Sequence, residues 1–184
     1  MTPAPNDIRT DFQLVEALNK GDVVAFDELY YRHRDWVMRL AMRFTGNHED
    51  ALDVLQETFA YFVRKFPGFE LTAAITTFLY PAVKNFSIAA RRKRLRLVND
   101  HQNLLSLLPE TALSTFADDE LTETLSALSD LHREILLMRF VDDMTQPEIS
   151  KALNIPLGTV KSRLHHAVLA IKQSAEIRGR LRDS

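Results

Sequence analysis

Residues 145–167, TQPEISKALNIPLGTVKSRLHHA, decide the reading of this chain. Thr145 and Glu148 have the spacing of a capping box, in which each side chain satisfies the other's backbone amide. Pro147 falls in the first helical turn, where a missing N–H costs nothing. Ile149, Ala152 and Leu153 make one apolar edge. Asn154 is a left-handed stop, and Pro156 and Gly158 stand at the start of the next helix, glycine permitting close backbone approach. In that second helix Val160, Leu164, Ala167 and Ile171 recur at spacings of four, three and four. Ser162, His165 and His166 then point the opposite way, flanked by Thr159, Lys161 and Arg163. Two short helices around a tight turn, the second with a polar outer face, outline a helix-turn-helix that reads duplex DNA in the major groove. Lys and Arg suit phosphates and guanine edges, and Ser, Thr and His suit base edges. The plainer reading of that face is an ordinary solvated surface.

His165 and His166 also raise the question of a metal. Adjacent helical residues point about 100° apart and share one ion poorly. With no cysteine in the chain to complete a zinc site, no metal is expected.

The chain has 184 residues, 46% of them hydrophobic, enough for one domain or two small ones. Apolar spacing of three and four throughout predicts an all-α fold. The absence of cysteine excludes disulfides and thiol chemistry and fits a reducing compartment. The first ten residues have no signal-peptide pattern, and no apolar run is long enough to span a bilayer. A soluble, cytoplasmic protein with no membrane insertion is expected.

Net charge is only −2, but it is unevenly spread. Residues 71–99 hold no acid yet contain Lys84, Arg91, Arg92, Lys93, Arg94 and Arg96. Residues 100–130 hold no Lys or Arg yet contain Asp100, Glu110, Asp118, Asp119, Glu120, Glu123 and Asp130. A basic footprint is thus followed by an acidic stretch. Apolar periodicity begins with Leu14, Leu18, Phe26, Leu29 and Tyr30 and continues through Val37, Leu40, Ala41 and Phe44. Thr45-Gly46-Asn47 interrupts it. A helix is predicted from about Glu49 to Phe66, with Leu52, Leu55, Phe59, Phe62 and Phe66 on its buried face, ended by Pro67-Gly68. The helix or helices after it end in the basic run. The predicted architecture is two small helical domains, 10–96 and 118–175, joined by a flexible linker at 97–117. Leu121, Leu125 and Leu128 start the second domain. Ile135, Leu136 and Phe140 make its next helix, and the tail after Ile177 is expected to fray.

Two helical domains, a basic helix before the linker and a helix-turn-helix after it resemble a bacterial sigma factor, more closely the extracytoplasmic-function (ECF) group of the sigma-70 family. The stretches AFDELY at 25–30, TGN at 45–47 and EDALDVLQETF at 49–59 resemble that family's promoter-melting domain. GTVKSRLH at 158–165 resembles its C-terminal domain, a helix-turn-helix (winged-helix-like) region four. The chain also leaves no room for the extra regions of larger sigma factors. The resemblance implies a protein that binds core RNA polymerase, through the β′ coiled coil and the β subunit, and recognises the −35 and −10 elements of promoter DNA. It implies no enzymatic activity and no cofactor, and an anti-sigma factor is a usual partner.

Residue by residue, the resemblance implies polymerase docking through Asp50, Asp53, Gln56 and Glu57. The helical projection adds that Asp53, Gln56, Glu57 and Ala60 face away from the apolar stripe. Residues 76–94 resemble the segment that captures the unpaired −10 strand, which requires base pockets, stacking faces and cations. The candidates are Phe78, Tyr80, Asn85 and Phe86, with Lys84, Arg91, Arg92 and Arg94 for phosphates. Asn85 matches a base-contacting Asn of the family; core packing is the competing role for each aromatic. The −35 reader is carried over to Thr159, Lys161, Ser162, Arg163, His165 and His166, with Arg139 as a phosphate contact. There are departures. The family often has Trp where Phe78 stands, Asp where Ala89 stands and Arg where His166 stands, and Pro81 takes a place where a helix-compatible residue is usual. The alternative is a classical helix-turn-helix regulator whose N-terminal half is a helical sensor or dimerisation domain.

Overall fold

The computed structural model describes residues 9–97 and 119–182, and helices are the only regular elements among them. The predicted linker at 97–117 therefore lies, apart from Leu97, outside the described residues. The first helical group comprises α1 (Asp11–Asn19), α2 (Val23–Thr45), α3 (His48–Val63) and α4 (Ile75–Leu97). The second comprises α5 (Asp119–Ser126), α6 (Asp130–Phe140), α7 (Gln146–Leu153) and α8 (Leu157–Arg182). No strand, and so no wing, accompanies the helix-turn-helix among the described residues.

Local chemistry sets most helix ends. Thr10 and Gln13 form a capping box at α1, and Asp22 caps α2 by accepting from the Val24 amide at 3.1 Å. Gly46 ends α2 in the left-handed region, φ 63° and ψ 17°, a conformation that favours glycine. One residue on, the Asn47 Oδ1 accepts from the Asp50 amide at 2.9 Å and starts α3. The turn at residues 45–47 is therefore a stop and a start fused together.

α2, α3 and α4 pack on one another around Leu29, Leu40, Phe44, Phe62, Ile75 and Leu79, none more than 1% exposed. A distant tie supports them: Asn19 at the end of α1 donates to the Phe69 carbonyl at 2.8 Å and accepts from the Gly68 amide at 2.7 Å. Pro81 lies inside α4 rather than at its start. Its missing N–H removes one ladder bond, which the packing of α4 against α2, α3 and α7 offsets.

Two predicted core positions are on the surface. Leu52 is 40% exposed because the buried residues of α3 (Ala51, Val54, Leu55, Thr58, Phe59 and Phe62) centre the stripe near Ala51 and Thr58, leaving Leu52 beyond its edge. Phe140 is 64% exposed, as the last residue of α6. The helix α3 also stops at Val63, short of Phe66, while α8 runs past Ile177 to Arg182. The sequence there, Ala175-Glu176-Ile177-Arg178, consists mostly of good helix formers.

In the second group Ile135, Met138, Met144, Ile149, Val160 and Ala167 form the centre. The side chains of Arg133 through Met138 are buried in succession, so the middle of α6 is covered on all sides, while Leu131 and Phe140 at its ends are exposed. Arg133 uses this burial: its guanidinium donates to the carbonyls of Leu125, Ser126 and Leu128 at 2.7, 2.9 and 2.8 Å. These are terminal carbonyls of α5 and its turn, which a helix leaves unsatisfied. The two groups meet along α4 and α7.

Candidate promoter and polymerase surfaces

The helix-turn-helix forms as its residues dictate. Thr145 and Glu148 make the capping box, with the Thr145 amide donating to the Glu148 carboxylate at 2.7 Å. Asn154 ends α7 at φ 52° and ψ 48°. The turn is closed from Ser150, whose hydroxyl donates to the Ile155 carbonyl at 2.6 Å and whose carbonyl accepts from the Ile155 amide at 3.1 Å. Val160, Leu164 and Ala167 are buried, and Lys161, Ser162, His165 and His166 are exposed. Thr159 and Arg163 are partly exposed at the flanks. The His165 and His166 rings are edge-on at 5.6 Å, and His132 of α6 lies 6.4 Å from His166.

Arg139 joins this face. A shallow groove of about 340 Å³ is lined by Arg139, Phe140, Gln146, Lys161, Leu164, His165 and Val168. Gln146 is a polar member that sequence reading passed over, although it directly follows the cap residue Thr145. The expected close approach at Gly158 is absent within the chain: a Cβ there would meet nothing within 4 Å. The start of α8 is open on that side.

On the first group, Asp53, Gln56 and Glu57 are exposed on α3 as the projection predicts. Asp50 is different. Its Oδ2 accepts from the Arg94 Nε at 2.8 Å, and Arg94 also donates to the Thr45 carbonyl at 3.0 Å. A carboxylate carried over for polymerase and a guanidinium carried over for DNA thus hold each other. Asp50, Asp53 and Glu57 share a cleft of about 340 Å³ with Phe86, Lys93 and Arg94.

The residues assigned to the −10 strand divide between two faces of α4. Phe78, Asn85 and Phe86, with Pro81, line a pocket of about 400 Å³ open to solvent. Tyr61 of α3 completes it. Its ring stacks on Phe78 with centroids 5.7 Å apart and planes 7° apart, and meets Phe86 edge-on at 6.0 Å. The Lys65 ammonium sits 4.5 Å from the Tyr61 centroid. Sequence reading missed Tyr61; the signal was an aromatic residue off the apolar stripe with a cation four residues later. Phe78 also touches Phe62 and Phe69, at 5.9 and 4.7 Å, so it serves core and pocket together. Arg92 is exposed.

Tyr80, Lys84 and Arg91 occupy the opposite side of α4, as a step of about 100° per residue requires. Tyr80 is 1% and Arg91 6% exposed. The Tyr80 hydroxyl donates to Glu134 Oε1 at 2.9 Å, and the Lys84 ammonium donates to the same oxygen at 2.5 Å. Burial, with the Glu134 carboxylate beside it, pushes the Tyr80 phenol well above its ordinary pKa and keeps it a donor. Glu134 belongs to α6, so this contact crosses between the helical groups. A second crossing pair joins Arg43 of α2 to Asp142 through parallel bonds of 2.7 and 2.9 Å.

Comparison with known proteins agrees with this arrangement. The sigma-70 region 2 family model matches residues 29–97, and the sigma-70 region 4 model matches residues 118–171. The chain is 26% identical to the ECF RNA polymerase sigma factor SigW of Bacillus subtilis (strain 168), covering 86% of this chain and 93% of that protein. It is 28% identical to the ECF RNA polymerase sigma-E factor of Escherichia coli (strain K12), covering 91% and 95%. Among solved structures, CnrH in complex with the cytosolic domain of CnrY is similar at a TM-score of 0.65, with 21% identity over 91% of this chain and 97% of that one. The sigma factor RpoE of Bartonella quintana, in complex with the anti-sigma factor NepR, is similar at a TM-score of 0.62, with 20% identity over 84% and 99%. The chain belongs to the ECF group of the sigma-70 family, the promoter-directing sigma factors of RNA polymerase. Region 2 accounts for the N-terminal half, which removes the basis for a sensor or dimerisation domain there.

Proposed function

We propose that this sigma factor grips its promoter at two points and melts it at one. A region-two domain of residues 10–96 docks on core polymerase through Asp53, Gln56 and Glu57, with Asp50 shaping the end of that surface. The same domain traps unpaired −10 bases at the pocket of Phe78, Asn85, Phe86 and Tyr61, with Arg92 and Arg94 for phosphates. Tyr80, Lys84 and Arg91, carried over for the same strand, lie on the other side of α4, where Glu134 holds Tyr80 and Lys84. Residues 97–117 link this domain to a region-four domain of 118–175. There Thr159, Lys161, Ser162, Arg163, His165, His166 and Arg139 bind the −35 duplex.

The observation that carries this reading is the open aromatic pocket with Asn85 at its rim. A duplex base cannot enter it, whereas a flipped base can stack and hydrogen-bond there. Melting is then driven by preferential binding to the open strand, with no covalent step and no cofactor. The protein acts in the cytoplasm, where polymerase and chromosome are, and takes an anti-sigma factor as a further partner. Its support is the likeness in fold to the sigma factor RpoE of Bartonella quintana, solved with the anti-sigma factor NepR.

The test is transcription in vitro, with core polymerase and this protein on promoters selected from genomic DNA. Transcripts should start about ten base pairs downstream of a shared −10 sequence, and only when both proteins are present. Failure to co-purify with core polymerase would sink the reading.

A further inference from the structure

Thr77 carries two orphaned polar groups beside the aromatic pocket. Its amide is satisfied, donating to the Ala74 carbonyl at 2.9 Å. Its hydroxyl is buried and has no hydrogen-bond partner. Its carbonyl runs along the helix toward Pro81, inside α4, and a proline has no N–H to return. Buried polar groups are nearly always paired, so two orphans on one residue call for a physical reason. Thr77, Pro81 and Asn85 follow one another at spacings of four, along the side of α4 that lines the pocket.

Stability does not explain these two residues. Valine at 77 would keep the shape and remove the orphaned hydroxyl, and a residue with an N–H at 81 would close the helical ladder. The cost falls on the wall of a pocket that already has its stacking rings, Tyr61, Phe78 and Phe86. Polar groups on that wall read a hydrogen-bond pattern. The carbonyl can only accept. The hydroxyl also accepts, and a helical threonine has two χ1 wells, so hydroxyl and methyl can exchange places against the pocket. Two adjacent acceptors match two hydrogens on one nitrogen, which is an amino group. Adenine, cytosine and guanine each carry an exocyclic amino group, and thymine carries none.

We propose that Thr77 and Pro81 make the pocket selective for a base with an exocyclic amino group, whose hydrogens go to the Thr77 carbonyl and hydroxyl, and that thymine is rejected there. The inference rests on the trapped-base reading above. Thr77 reads the base, and Pro81 is a positioning residue that acts by leaving the Thr77 carbonyl free. Thymine would set keto oxygens against both acceptors and leave them unpaired in a site closed to water. Unpaired buried groups are what give such sites their discrimination.

The test uses polymerase holoenzyme and fork-junction DNA of a promoter selected in vitro. Each unpaired −10 base of the non-template strand is replaced in turn by adenine, cytosine, guanine and thymine. At one position thymine should bind about tenfold more weakly than the best amino base, the scale of one or two net hydrogen bonds. Deleting only the amino group should cost the same there, with purine for adenine, 2-pyrimidinone for cytosine or hypoxanthine for guanine. The arm that responds names the base. Thr77→Val and Pro81→Ala should each cut the discrimination to about threefold and together abolish it, while melting no lower than the wild type. A merely structural role would move stability and leave base choice alone. Equal binding of thymine at every unpaired position, or full discrimination in both variants, overturns the proposal alone. A wild-type holoenzyme that does not prefer the open fork to the same DNA fully paired overturns the trapped-base reading beneath it.

Discussion

Tyr61 of α3 and Phe78 of α4 lie with their rings nearly parallel, planes 7° apart and centroids 5.7 Å apart, and both line the pocket that Asn85 borders. One ring comes from the helix assigned to polymerase docking and the other from the helix assigned to DNA. A base entering the pocket would meet both. Alanine at Tyr61 should therefore weaken binding of the unpaired −10 strand by about 1–3 kcal/mol, the scale of one base–aromatic stack. Asn85→Ala should relax base preference instead. Being exposed, it should leave stability within about 0.5 kcal/mol of wild type. Fluorescence of 2-aminopurine placed in the −10 element of the polymerase–promoter complex separates the two effects. Equal losses on every −10 sequence with Asn85→Ala would remove its base-reading role.

Asp50 and its neighbours on α3 should respond differently to substitution. Asp50→Asn breaks a half-exposed pair with Arg94 and should cost about 0.5–1 kcal/mol of stability, seen as a small drop in melting temperature. Asp53→Lys and Glu57→Lys should leave the melting temperature nearly unchanged and sharply weaken capture by core polymerase. A pull-down with immobilised core polymerase and a thermal melt, run side by side, distinguish them. A neutral outcome for both lysine variants in the pull-down moves the docking surface elsewhere.

On α8 the exposed cation Lys161 and the exposed base-edge candidates Ser162 and His165 predict separate signatures. Lys161→Ala should weaken −35 binding on all sequences and reduce the salt dependence by about one unit of slope. Ser162→Ala should change which −35 sequences are preferred, by about 1–3 kcal/mol at the affected position. Titrations of holoenzyme on −35 variants at several potassium chloride concentrations test both. An unchanged salt slope for Lys161→Ala argues against a phosphate contact.

Arg133 predicts a purely structural effect. Its removal leaves the carbonyls of Leu125, Ser126 and Leu128 without their buried charged donor. Arg133→Met should destabilise the C-terminal domain by about 3 kcal/mol. Differential scanning calorimetry on the full chain should show one transition lowered. Retention of the wild-type profile would mean that the α5 end is held by something else.

Acid should loosen the N-terminal domain at Asp11. Burial alone would raise its pKa, but hydrogen bonds and charge from His33 and Arg32 outweigh that and hold it below the ordinary carboxylate value. A depressed folded-state pKa contributes stability above the unfolded value of about 4 and loses it as pH falls through the folded value. Asp11→Asn should be less stable than wild type at neutral pH, with the difference closing in acid. Urea midpoints followed by circular dichroism at pH 7 and pH 3 check the sign.

What was legible in the sequence was mostly local. The capping box of Thr145 and Glu148, the left-handed Asn154 and the Gly46–Asn47 break each depend on residues a few positions apart, and each has its expected geometry. Burial at the margins was not legible. Leu52 fits an i, i+3 stripe drawn from Leu55, but the stripe is centred on Ala51 and Thr58, small residues that hydropathy alone underweights. The partition of Tyr80 and Lys84 from Phe78 and Asn85 follows from helical projection alone, yet the partner that buries the first pair does not. Glu134 lies 54 residues from Tyr80 and 50 from Lys84, in a helix where it reads as one more solvated acid. Long-range charge pairing leaves no periodic trace.

Gly158 has a different bearing on how this protein can change. Open space surrounds the position where its Cβ would be, and an alanine there would gain helix propensity without displacing a neighbour. The chain's own folding therefore places no demand for glycine at residue 158. A side chain added there would act through whatever comes up against the start of α8, and a library randomised there would diversify binding while sparing the scaffold.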